Sequence, residues 1–98
     1  MYRIIDRKRY NTDTAKRLAE IRYTDMDSFG NEYEVLECLY QTQSGALFIS
    51  EWPGETIHPT DPDGAVKWAE QWQDRDGFDI ESIVKALGGA EALGIIDA

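Results

Sequence analysis

The sequence predicts a small α+β domain: an antiparallel sheet of about three strands, helices packed on one face, and the element order β-α-β-β-α-α. Three observations carry that reading. A run of strand formers, Glu32–Tyr40, is followed by the turn Gln41–Gly45 and a second apolar run, Ala46–Trp52. Ala65, Trp68, Ala69 and Trp72 recur at helical spacing. Ile80, Ile83, Val84 and Leu87 repeat that spacing after Asp79. A chain of 98 residues has room for one domain, residues 1–98, around one modest core.

The elements follow in order. Tyr2–Ile5 holds isoleucines and an aromatic ring and reads as a short strand, with Lys8–Tyr10 extending it after a kink. Asn11–Thr14 offers side chains that cap a helix start, and Ala15, Leu18 and Ala19 then fit about two helical turns. Residues 24–31 carry Asp, Ser, Gly and Asn and read as a loop. In Glu32–Tyr40 one face holds Tyr33, Val35, Glu37 and Leu39, the other Glu34, Leu36, Cys38 and Tyr40, which suits a central strand. Ala46–Trp52 returns antiparallel, and Pro53-Gly54 ends it.

Thr60 and Asp61 precede Pro62, which favours the first position of a helix. Its stripe should bury Trp72 between helix and sheet. Asp79 caps the last helix, Gly88-Gly89 stops it, and residues 90–98 read as a loose tail.

Charge is unevenly spread. The chain has 19 acidic and 10 basic residues and a net charge of -9. Residues 1–22 hold seven of the basic groups against Asp6, Asp13 and Glu20, so the remainder is strongly acidic. That balance argues against an electrostatic grip on nucleic acid or on an anionic membrane. No apolar stretch is long enough to cross a bilayer, the first residues lack the apolar core of a secretory signal, and a lone cysteine excludes an internal disulfide. The expected location is the cytoplasm.

Chemistry-bearing residues are sparse. Cys38 falls mid-strand, where a small buried hydrophobe is the default, and His58 precedes Pro59 in what reads as a surface loop. A Cys–His nucleophile pair needs an orienting third group, and none is indicated. Asp74–Glu81 begins like a calcium loop, but its glycine, Gly77, comes two residues early and Phe78 takes a ligand position. Glycine-rich phosphate loops and nucleophile elbows are absent from the sequence. The expectation is a non-enzymatic protein with no cofactor and no metal.

Lys8–Ala15 resembles the K-x-Y-x-T-D/E-T-A start of a family of short bacterial and phage proteins. Glu37–Phe48 matches that family's E-x-L-Y-x-T-x-x-G-x-x-F strand and turn, Ile57–Asp61 its I-x-P-x-T/D helix start, and Ala65–Trp68 its Ala-x-x-Trp helix. The likeness spans about residues 2–87. It departs where the family's long glycine-rich loop is reduced to Trp52–Glu55, and the tail from Gly88 is extra. The resemblance implies a mobile-element protein in a bacterial host cell, of a kind that includes inhibitors of CRISPR–Cas complexes.

The function expected is therefore an acidic, anti-CRISPR-like binding protein that occupies a basic nucleic-acid-binding surface of a Cas subunit. The alternative is a regulatory or adaptor protein that binds another host protein. The sequence does not set the oligomeric state. Two groups of acids are the expected contact residues: Asp25, Asp27, Glu32 and Glu34 around the first loop, and Glu70, Asp74 and Asp76 on the second helix and its following turn.

Overall fold

A computed structural model describes all residues 1–98. Six strands precede two helices: β1 (Tyr2–Ile5), β2 (Lys8–Asn11), β3 (Lys16–Met26), β4 (Glu32–Gln41), β5 (Leu47–Trp52), β6 (Thr56–Thr60), α1 (Pro62–Trp72) and α2 (Ile80–Ala86). β1 and β2 form a separate two-stranded hairpin, and β3-β4-β5-β6 is an antiparallel meander. This corrects the expected order β-α-β-β-α-α with about three strands: the sequence hid three strands and suggested one helix too many.

The missing helix is instructive. Ala15, Leu18 and Ala19 lie at the start of the 11-residue strand β3. A bulge between Arg17 and Ala19 shifts the register there. An extra residue in one strand lets neighbouring side chains lean toward the same side. Leu18 and Ala19 thus both pack on the core. A bulge followed by Ile21 and Tyr23 on alternate positions imitates helical spacing. A two-turn helix here would also have been marginal by itself, whereas the strand gains a full ladder with β4.

The residues expected to cap that helix close a turn instead. The Asn11 side chain accepts from the Asp13 amide at 2.9 Å, and the Thr12 amide and hydroxyl both donate to the Met1 carbonyl. Asp13 lies 3.7 Å from the terminal amine. The motif therefore fastens the N-terminus to the end of the first hairpin.

Register places the faces. Ile21, Glu37, Glu51 and Thr56 align across the meander, as do Leu39, Ile49 and His58. This face meets the helices: Ile21, Leu39 and Leu47 pack with Ala65, Trp68, Ala69 and Ile83. On the other face Phe48 and Ile57 pack with Tyr10 of the β1–β2 hairpin. The sheet is thus covered on both sides, by helices on one and partly by a hairpin on the other.

β6 is a strand where a loop carrying His58 was expected. It lies at the sheet edge, the place where a proline such as Pro59 costs no ladder bond. Both helices start where the sequence placed them. The Asp61 carboxylate accepts from the Gly64 amide at 2.7 Å, and that of Asp79 from the Ser82 amide at 3.3 Å. Trp68 is the deeply buried indole of α1, while Trp72 is only partly buried and stacks on Tyr23 at 5.0 Å.

The first hairpin is built on a two-residue loop, since Ile5 pairs with Lys8. Both loop residues have left-handed backbones, Asp6 at φ 52° and Arg7 at φ 66°. That suits the twist of a tight hairpin but strains any residue that carries a Cβ, arginine included. Arg7→Gly should raise stability by about 1 kcal/mol, read as a higher urea midpoint. An unchanged or lower midpoint would assign Arg7 a compensating contact.

Candidate binding site

The site grows from unequal strand lengths. β5 ends with Trp52 opposite Leu36, so Glu32–Val35 of β4 run on without a neighbour on that side. β3 continues beside them to Met26. The gap is a cleft of about 400 Å³, lined by Tyr23, Asp25, Asp27, Tyr33, Val35, Glu51, Trp52, Pro53 and Gly54. Three carboxylates and three aromatic rings line it, and no basic side chain does.

One wall is held by a buried carboxylate. Glu37, only 8% exposed, accepts a hydrogen bond from the Tyr23 hydroxyl at 2.5 Å and one from Trp68 Nε1 at 3.0 Å. Both oxygens are therefore satisfied by donors from different elements, β3 and α1. The bond to Glu37 pushes the Tyr23 phenol well above the ordinary tyrosine range, and burial adds to it. Behind Tyr23, Trp72 stacks and Arg75 lies 5.8 Å over the Trp72 ring. Tyr23 is thus clamped between a carboxylate and an indole.

The rim is more exposed. Trp52 is 52% exposed. The Glu51 carboxylate takes a bond from the Thr56 hydroxyl at 3.3 Å and stands 3.9 Å from His58 Nε2. Asp27 holds the β3–β4 loop: its Oδ1 accepts from the amides of Phe29 and Asn31, each at 2.9 Å, and its Oδ2 from the Asn31 side chain. These bonds, the Asn31 amide first, hold the Asp27 carboxyl below the usual range.

The seven acids expected from the sequence are therefore not one surface. Asp25 and Asp27 line the cleft. Glu32 and Glu34 align with Met26 and Thr24, on the opposite face of the ladder from Asp25, and Glu34 is already paired with Arg22 at 2.8 Å. Glu70 is exposed on α1, while Asp74 lies beyond the C-cap Gln73, so the two do not share a helical face. Asp76 faces a separate recess beside Glu20, Arg22 and Arg75.

Sequence reasoning missed Glu51 and the anchoring Glu37, whereas Trp52 stands out in the sequence as a half-exposed ring flanking the hairpin. The signal for Glu37 was present: it alternates with Val35 and Leu39 on a core face, where a lone carboxylate needs buried donors. Cys38 is buried, and burial pushes its thiol pKa up, away from nucleophilic character. No helix is long and apolar enough to cross a membrane.

Comparisons of the chain with protein-family models, with curated proteins and with solved structures returned no match.

Proposed function

We propose that the chain is a non-catalytic binding protein that receives cationic side chains, arginine above all, from a basic protein surface. The cleft supports this reading most directly. Asp25, Asp27 and Glu51 supply negative charge, while Trp52, Tyr33 and Tyr23 supply ring faces. A guanidinium is the ligand that uses both, bonding carboxylates at its edge and stacking on aromatics with its plane. The net charge of -9 steers such a partner toward it.

Proteins that hold nucleic acid present surfaces rich in arginine. A CRISPR–Cas channel is the instance implied by the resemblance of the Lys8–Ala15 motif. Occupying it would block nucleic acid by competition. Glu32 and Glu34 extend the negative field on the other face of the same hairpin, while Glu70, Asp74 and Asp76 stand apart from the cleft and from one another. A regulatory adaptor that binds another host protein would use the same cleft but compete with no nucleic acid.

The test is affinity capture from a lysate containing a Cas complex. Wild type should retain it, and guide RNA or DNA should displace it. Asp25→Lys with Glu51→Lys should weaken capture at least about tenfold, and Glu32→Lys with Glu34→Lys less. Capture that survives the cleft reversal, or that ignores added nucleic acid, contradicts the proposal.

A further inference from the structure

The two edges of the meander are unlike. β6 is five residues long and interrupted by Pro59, a common defence against edge pairing. β3 is 11 residues long, holds no proline, and has its bulge near one end. The Asp27 amide donates to the Asn31 carbonyl of the neighbouring arm, so from Ala19 onward, past the bulge, the odd-numbered residues of β3 turn their backbone groups toward β4. Glu20, Arg22, Thr24 and Met26 turn theirs outward. Arg75 confirms the direction, because its guanidinium donates to the Arg22 carbonyl from outside the sheet. Beside it lies an open recess of about 480 Å³, lined by Arg22, Tyr23, Thr24, Glu34 and Arg75.

We infer that β3 pairs antiparallel with β3 of a second copy, around a two-fold axis at Ile21, to give a continuous eight-stranded sheet. The occupant follows from charge. Centred on Ile21, Glu20 of each copy faces Arg22 of the other. Beyond the bulge, Lys16 falls opposite Asp25, since Lys16 aligns with Gln41 and Asp25 with Tyr33 on one face of β4. Every cross-strand charge pair is then of opposite sign, which stabilises a ladder. The neighbouring outward registers fail. Centring on Arg22 sets Arg22 against itself, and centring on Glu20 sets Glu20 against itself.

The strand is also suited to self-association in a chain of net charge -9. Lys16, Arg17 and Arg22 outweigh Glu20 and Asp25, so β3 is the place where two copies meet without strong repulsion. A two-fold interface needs a patch complementary to itself, and this order of charges is. Arg75 shields the Arg22 carbonyl in the single copy and must yield to the Glu20 amide of the second. Asp25 is the one charge this pairing shares with the acidic cleft, and Glu20 and Arg22, on which the register turns, lie outside it.

Sedimentation equilibrium with purified full-length protein tests it. A dimer is expected at about 100 µM. Thr24→Pro removes an outward amide and should give a monomer with an unchanged far-UV spectrum. Glu20→Arg and Arg22→Glu should each weaken the dimer about tenfold, the double variant should restore it, and Arg75→Ala should tighten it. The charge-swap series decides the matter even if the proline variant fails to fold. A protein monomeric to about 1 mM, or a dimer in which the double variant is no better than the singles, overturns the inference.

Discussion

Phe48→Ala is expected to cost about 3–5 kcal/mol, the largest loss from any single truncation on the hairpin side of the sheet. The side chain is fully buried and is the centre of the smaller core. Its ring meets Tyr10 edge-on at 5.6 Å and stacks on Tyr40 at 5.1 Å. Removing it leaves a void that the β1–β2 hairpin and the sheet both line, and rigid neighbours close such a void only in part. Urea unfolding measures the loss. Hydrogen exchange should show β1 and β2 released first, because Tyr10 is the only buried residue in either strand. A mutant that melts like wild type would mean that the hairpin does not rest on Phe48.

Glu37→Ala ranks second, with an expected loss of about 3 kcal/mol. It leaves two donors, the Tyr23 hydroxyl and Trp68 Nε1, without their acceptor on the helix side of the sheet. Glu37→Gln keeps an acceptor and should lose less. The same network sets an alkaline limit. The folded state holds the Tyr23 proton more tightly than the unfolded chain does, so the phenol's contribution is complete below the unfolded value of about 10. It is lost as pH rises through the folded value. Thermal melting should therefore fall more steeply above pH ~10 in wild type than in Tyr23→Phe. Equal slopes would place the Tyr23 proton outside the Glu37 bond.

What the sequence discloses and what it hides follow one physical line. The β4–β5 hairpin and both C-terminal helices are set by signals within a few residues: the Gln41–Gly45 turn, Pro62 after Asp61, and Asp79 before Ile80. β3 and β6 owe their form to neighbours in the sheet. Leu18 and Ala19 reveal a bulge only once β4 lies beside them, and Pro59 is tolerated only because β6 has a free side. The acids divide likewise. Asp25 and Asp27 are visible as a cluster, but that Glu32 and Glu34 face away depends on strand register, which composition does not carry. Glu51 and Trp52 join the cleft from a strand more than 20 residues away in the chain.

Titrating the protein with a hexa-arginine peptide while following the indole N–H resonances shows whether the cleft takes a guanidinium. Trp52 lies at the cleft and is half exposed, whereas Trp68 donates to Glu37 inside the core. The Trp52 resonance should shift and saturate, the Trp68 resonance should stay in place, and the affinity should fall as salt rises. Asp25→Lys with Glu51→Lys should abolish the shift. A Trp52 resonance that does not move, or that moves equally in the reversed variant, would contradict the claim.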